Sequence, residues 1–308
     1  MKAASVQLDH LTKSYGGMVV VDDLSVDVEP GRITGFLGPN GAGKSTTFRL
    51  IMGLDRPTSG RALVDGRPIA DWPEPGRKIG AVLSNQCAHP RRTAYDHLRW
   101  VGELLDVPAA QCREMLELVG LESVATAKTR TFSLGMMQRL ALATALLGDP
   151  EILLLDEPMN GLDPEGMAWL KEMLEQLRER GRTVFVASHL LKEMEDLADD
   201  LLIIAHGKVV ESGTMTEIVG RYEQSWVSVR SDDAARLGDL LQAGGAELLG
   251  PARGNKLKVS GMSLAAVSAV AREHDLSVLE LSVVRDLSGV YQAVTQDRSE
   301  IRGREHRQ

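Results

Sequence analysis

The chain has 308 residues, 43% of them hydrophobic and 25% charged, with a formal net charge of −8. That length allows about two domains and a sizeable core, and the composition is that of an ordinary soluble globular protein. The acidic balance argues against a general nucleic-acid binder, which would neutralise phosphates with a basic face, so no nucleic-acid partner is expected.

The N-terminal stretch MKAASVQLDHLTKSYGG has no apolar run after Lys2 and reads as neither a signal peptide nor an anchor. Residues 5–9 and 24–28 are expected as strands. RITGFLGPNGAGKSTTFRLIMGL reads as strand, Gly-rich loop and helix, and RALVDGRPI as a short hairpin turning on Asp65-Gly66. Residues 79–83 form a further short apolar run. A mostly helical stretch follows from about Thr93 to Leu147, broken at DVPAA and again near LESVATAKTRTFS. Next come the strand EILLLD, a helix over 164–180, the strand TVFVAS, a helix over 190–198, and the strands DLLIIA and KVVES. Such alternation indicates a parallel sheet with helices on its faces.

Beyond about residue 222 the order becomes strand, helix, strand, strand, helix, strand, from SWVSVR to LSVLELSVV. This is the split βαβ, ferredoxin-like arrangement, a small α+β domain over 222–296 with a last helix at about 286–295. The remainder, 297–308, reads as a polar tail. Cys87 and Cys112 have no metal-ligand spacing and are expected as unpaired thiols in a reducing compartment. No window approaches the ~18 apolar residues of a membrane span, so a role in transport would require a separate membrane-embedded partner.

GPNGAGKST fits the phosphate-loop pattern G-x-x-x-x-G-K-[ST], in the required context of a preceding strand and a following helix. Gly38, Gly41 and Gly43 let the backbone curl and turn its N–H groups inward. The helix starting near Lys44 aims its positive end at the phosphates, and the Lys44 ammonium can reach their oxygens. Ser45 offers a hydroxyl to Mg²⁺, which favours a few hard oxygen ligands plus water. In ILLLDEPMNGLD, four apolar residues form a buried strand ending on Asp156, whose carboxylate can join the Mg²⁺ shell. Glu157, the next residue, can orient and polarise an attacking water. Acids at a strand's carboxyl end sit where ligands bind in open α/β sheets.

From these motifs the chain resembles the ATP-binding cassette (ABC) family over about residues 5–220. The resemblance implies a P-loop NTPase domain over 1–220, a mixed-sheet core with a helical subdomain at about 85–147. It also implies ATP and Mg²⁺ as ligands. Gly38, Pro39, Asn40, Gly41, Ala42, Gly43, Lys44, Ser45 and Thr46 stand where the family holds the triphosphate, and Tyr15 matches the aromatic that stacks on adenine. Asp156 and Glu157 match the metal-associated aspartate and the catalytic glutamate. Asp163, in NGLD, falls at the family's dimer seam, and His189 matches the switch histidine that contacts the γ-phosphate.

Ser133, at the head of FSLGMMQRLALA, is a natural N-cap. By resemblance, Ser133 and Gly135 belong to the family signature, which faces ATP held by Lys44 of a second cassette. A homodimer is therefore expected, enclosing two ATP molecules and driving a separate multi-span permease from the cytoplasmic membrane face. The pattern S-L-G-M-x-Q-R looks like the branch that powers bacterial drug and antibiotic exporters. The family's Q-loop glutamine aligns with Ser84, and Gln86 lies two residues on; either can take that place. A soluble ABC ATPase, an importer subunit and an ATP-binding immunity or sensor module are the other readings.

Overall fold

The computed structural model describes residues 4–84, 86–222, 224–250 and 254–286. The chain divides into two units, Met1–Ile218 and Val219–Gln308.

The first unit opens with a long hairpin, β1 (Val6–Tyr15) and β2 (Met18–Val28). After β3 (Ile33–Leu37) and α1 (Lys44–Ile51), β4 (Ser59–Val64) pairs with β1, giving an antiparallel sheet of order β2-β1-β4. The expected strands at 5–9 and 24–28 are thus only the far ends of the hairpin. Its middle is bulged: the register shifts between Leu8 and Leu11 and twice more before Ser14, and His10 and Asp23 take positive φ. Each bulge breaks the two-residue alternation by which a strand is recognised. The Asp65-Gly66 turn forms, but the returning strand shrinks to one bridge, Val64 with Arg67. Pro68 follows without an N–H to donate, and the chain enters a 3₁₀ turn at Ile69–Asp71.

A short helix α2 (Pro75–Lys78) leads into β5 (Ile79–Val82). The helical region then comprises α3 (Ala94–Leu104), α4 (Ala109–Leu118) and α5 (Leu134–Leu146). These close on their own core of Leu98, Cys112, Leu116, Leu140 and Leu147. Cys87 and Cys112 are both free thiols.

The chain continues through β6 (Ile152–Asp156), α6 (Pro164–Glu179), β7 (Thr183–Ser188), α7 (Leu191–Met194), β8 (Asp200–Ala205), β9 (Lys208–Thr214) and α8 (Met215–Tyr222). The second sheet has the order β5-β6-β7-β3-β8-β9, parallel except for β9, which is antiparallel to β8. Every residue of β3 and β7 is buried, which is why neither shows the polar–apolar alternation of a half-exposed strand. Phe36, Phe48 and Phe185 meet at centroid distances of 5.1–5.9 Å and fasten α1 onto this sheet.

The helix expected at 190–198 is only one turn, Leu191–Met194. Asp199 explains the early stop: its amide donates to the Ile33 carbonyl and its carboxylate accepts from the Ile33 amide, drawing the chain into β8.

The second unit contains β10 (Gln224–Ser231), α9 (Ala234–Ala243), β11 (Glu247–Leu248), β12 (Lys256–Ser260), α10 (Leu264–Glu273) and β13 (Val278–Asp286). Its antiparallel sheet has the order β11-β12-β10-β13, over a core that includes Val229, Leu237, Leu241, Val259 and Val267. The helix expected at 286–295 and the tail at 297–308 lie outside the described residues.

Candidate functional site

Two separate concave surfaces in the first unit hold most of the residues singled out above, while Tyr15, Gly38, Pro39, Ala42 and His189 line neither. The first is a cleft of about 160 Å³ lined by Val20, Asn40, Gly41, Gly43, Lys44, Ser45, Thr46, Asp156 and Glu157. It lies at the carboxyl ends of β3 and β6, where the loop after β3 turns into α1. Gly43 immediately precedes α1 with φ +109°, and a Cβ there would stand 2.7 Å from the Val20 carbonyl oxygen. Only glycine lets the loop pass β2 so closely. At Gly38 a Cβ would meet the Ile204 carbonyl oxygen at 2.6 Å. Ala42 is buried, and its amide bonds to the Pro39 carbonyl at 3.1 Å, which closes the loop into a cradle.

Lys44 is 5% exposed. Its ammonium donates to the carbonyls of Gly38 at 2.6 Å and Pro39 at 3.3 Å, and lies 3.5 Å from Glu157 Oε1. The lysine thus keeps the loop curled while holding its charge at the cleft. Asp156 ends β6, and burial pushes its pKa up, against the opposing pull of the Ser45 hydroxyl. Glu157 takes a positive φ of 49°, and its amide is held by the Ala187 carbonyl at 3.0 Å. His189, just past β7, places Nδ1 2.8 Å from Glu157 Oε2. The contact is a hydrogen bond when Nδ1 carries the proton, with the carboxylate oxygen accepting. Residue Ser188 anchors that histidine's loop by donating to Glu193 at 2.5 Å.

Two buried carboxylate oxygens, Asp156 Oδ1 and Glu157 Oε1, have no hydrogen-bond partner; the second still faces the Lys44 ammonium at 3.5 Å, so Asp156 Oδ1 is the bare one. An acceptor left bare in this way is costly unless an electrophile meets it. With the Ser45 hydroxyl alongside, the donor set is made of hard oxygens and fits Mg²⁺. Among the described residues no group of three or more His, Cys, Asp or Glu could hold a metal. An ion here would complete its shell with water and phosphate, as Mg²⁺ commonly does.

The second concave surface is lined by Ser133, Leu134, Gly135, Met136, Arg139, Gly161, Leu162 and Asp163. Ser133 caps α5, its Oγ accepting from the Met136 amide at 3.2 Å. Asp163 caps α6 in the same manner, accepting from the Gly166 amide at 2.8 Å. A Cβ on Gly135 would stand 3.2 Å from the Gly161 carbonyl oxygen, and one on Gly161 would strike Leu134. At Gly161 a side chain is opposed by both this contact and a φ of +82°, whereas at Gly135 it would meet only a tight approach. It shares no residue with the first cleft.

Tyr15, at the end of β1, is in neither lining and is 44% exposed. Its hydroxyl donates to Asp55 at 2.8 Å. Ser84 accepts from the Gln86 amide at 3.1 Å, a local turn. Among the lining residues, Val20 stands outside every motif quoted from the sequence, whereas Arg139 lies in S-L-G-M-x-Q-R and Gly161 and Leu162 in NGLD without a role assigned to them. For Arg139 a signal existed: it lies six residues after Ser133 on the expected helix. Val20 had none, because its role is a backbone carbonyl.

A P-loop sheet, a lysine-filled cradle and two adjacent acids at the end of a buried strand define a nucleoside-triphosphatase. Similarity to known proteins narrows this. The family model described as ABC transporter matches residues 21–160, an AAA-domain model overlaps it at 126–195, and a domain of unknown function matches 225–286. The chain is 41% identical over 209 residues to the uncharacterized ABC transporter ATP-binding protein YhcH of Bacillus subtilis, covering 67% of this chain and 68% of that one. It is 36% identical over 206 residues to the lantibiotic transport ATP-binding protein SrtF of Streptococcus pyogenes, covering 67% and 89%. A dimeric post-hydrolysis structure of an ATP-binding cassette with ADP and Pi superimposes with a TM-score of 0.63 at 26% identity, covering 68% of this chain and 98% of that one. The chain belongs to the ABC transporter ATP-binding family and is an ATPase of that class.

Proposed function

We propose that this protein is the ATP-hydrolysing subunit of a membrane exporter, with drugs or antibiotics as cargo. One observation carries the reading: the phosphate cradle and the Ser133–Gly135 helix start face two different clefts of one chain. Each is half a site, and two copies arranged head to tail complete two sites. The dimeric relative with ADP and Pi supports this arrangement. The relative named for lantibiotic transport and the S-L-G-M-x-Q-R signature support antibiotic cargo and export. Among the described residues no helix is long and apolar enough to cross a membrane, so the reading requires a separate multi-span permease. The working place is then its cytoplasmic face.

In the assembled site, the loop from Gly38 to Thr46 wraps the triphosphate with its amides. The Lys44 ammonium neutralises the oxygens between β- and γ-phosphates. Ser45 and Asp156 would hold Mg²⁺, which spreads the charge of the phosphates when bound. Glu157 orients the attacking water and accepts its proton, and His189 positions that carboxylate through the Nδ1 bond. Ser133 and Gly135 of the second copy, at the positive end of α5, stabilise charge on the γ-phosphate. Asp163 lies at the seam beside them.

The second unit is proposed as a ferredoxin-like accessory domain over 222–296, a reading supported by its strand order. The cassette is assigned to 1–220 and the polar tail to 297–308.

The test is Glu157→Gln, assayed for phosphate release with the permease in membranes. Loss of the base is expected to cost about 10²–10⁴-fold in turnover. ATP binding stays intact and the ATP-bound dimer persists. Wild-type turnover in that variant would remove Glu157 from the mechanism. No phosphate release from the wild-type complex would favour a binding-only module.

A further inference from the structure

Tyr15 does not sit as a loose surface aromatic. Its hydroxyl donates to Asp55 Oδ2 at 2.8 Å. Asp55 is gripped in turn by Arg49, whose Nε and Nη2 donate at 2.7 and 3.3 Å. The two donors hold the Asp55 carboxyl down at about 2, Arg49 first and Tyr15 second. Arg49 is on α1, the helix whose first residue is Lys44. From the other side, Lys13 stands with its ammonium 4.6 Å from the Tyr15 ring centroid, fixed there by donating to the Arg56 carbonyl at 2.7 Å. One face of the ring is thus occupied by a cation and the hydroxyl is tied. The opposite face is what remains for a ligand.

The backbone sets the ring in register with the cradle as well. Tyr15 pairs with Met18 across the hairpin, and two residues along β2 the Val20 carbonyl packs against Gly43. The ring is therefore referenced to the phosphate loop twice, through β2 and through the chain Tyr15–Asp55–Arg49.

We propose that Asp55 is a positioning residue for the nucleotide base, locking the Tyr15 ring to α1 so that a purine stacks on its open face without first ordering it. This rests on the reading of Tyr15 as the base platform. Immobilising one rotamer-rich side chain in advance is worth about three- to tenfold in affinity.

The probes are a non-hydrolysable ATP analogue and inorganic tripolyphosphate, each titrated calorimetrically with Mg²⁺ into the full chain. Asp55→Ala is expected to weaken the analogue by about three- to tenfold and leave tripolyphosphate unchanged. Tyr15→Phe keeps the ring but not the tether; it should give the same loss, and the double variant should lose no more than either single one. If Asp55→Ala weakens both probes equally, the residue merely supports α1 and the proposal is wrong. If it weakens neither, the tether has no role in binding. Tyr15→Ala separates the two levels. Unchanged affinity for the analogue in that variant overturns the platform itself, whereas a loss there without one in Asp55→Ala overturns only the lock.

Discussion

Ser133 is asked to do two things, and a pair of substitutions pulls them apart. Its Oγ satisfies the Met136 amide at the start of α5, so Ser133→Ala removes a helix cap. That costs about 1 kcal/mol, or roughly 2–4 °C in melting temperature for a unit of this size. Ser133→Asp keeps a capping oxygen and adds a charge that the helix dipole favours by about 0.3–1 kcal/mol. Its melting temperature should therefore equal or exceed that of the wild type. Function should run the other way. If this helix start meets the γ-phosphate of a nucleotide held by a second copy, alanine loses one charge-assisted hydrogen bond, about 10- to 100-fold in turnover. Aspartate instead brings a carboxylate against the triphosphate. At about 4 Å and an effective dielectric near 20 that repulsion is about 4 kcal/mol, close to a thousandfold. The assays are differential scanning fluorimetry on the purified chain and phosphate release with the permease. Wild-type turnover in a stably folded Ser133→Asp protein would refute the head-to-tail site.

Two further outcomes concern stability and the cradle. His97 is 2% exposed, with Nε2 3.0 Å from the Thr144 hydroxyl and Nδ1 unpartnered. Burial, with Arg92 adding, pushes its pKa down from 6.5 to about 4. Above pH 6.5 neither state binds the proton; between 6.5 and 4 the unfolded chain binds it and the folded chain does not. This group therefore makes stability fall on acidification through that window, by about 2 kcal/mol between pH 7 and 5. Urea titrations at the two pH values should show this loss in the wild type and not in His97→Gln; equal slopes would exclude the histidine as cause. Gly43→Ala forces a side chain into φ +109° and against the Val20 carbonyl. We expect at least tenfold weaker ATP binding and about 1–3 kcal/mol lower stability, and undiminished affinity by calorimetry would contradict the cradle geometry.

What the sequence exposed and what it hid divide along physical lines. β6 and the acids that end it were readable because a strand buried on both faces is a plain apolar run. The cap at Ser133 was readable because N-caps use a small set of residues at a fixed offset. The middle of the β1–β2 hairpin was not, since its bulges undo the alternation that marks a strand. Neither was the brevity of α7, which is decided by Asp199 reaching Ile33, a contact 166 residues apart in the chain. The same holds for Tyr15 and Asp55, 40 residues apart. Local patterns report local geometry, and these features are set by tertiary contacts.

One segment joins the two clefts, and its packing bears on how they communicate. It leaves the first cleft at Glu157, whose carbonyl accepts from the Asn160 amide at 3.2 Å, and Met159 accepts likewise from Leu162. It arrives in the second at Gly161, Leu162 and Asp163, where Gly161 packs directly against Leu134 and Gly135. No slack loop separates the ends: the seven residues 157–163, two turn bonds and the cap on α6 span the interval. On the proposed mechanism, a shift of the Glu157 backbone on loss of the γ-phosphate would be carried to the start of α5 rather than absorbed. On the proposed arrangement, that helix start touches the other nucleotide, not the one Glu157 attends. Each chain would then pass the state of its own cradle to the site it shares as a lid. Widening the Gly161 contact by Gly161→Ala, whose Cβ would strike Leu134, is expected to uncouple the two events. In that variant, nucleotide binding at the cradle persists while cooperativity in ATP concentration falls toward a Hill coefficient of about 1. Unaltered cooperativity would mean that the segment only connects the clefts in sequence.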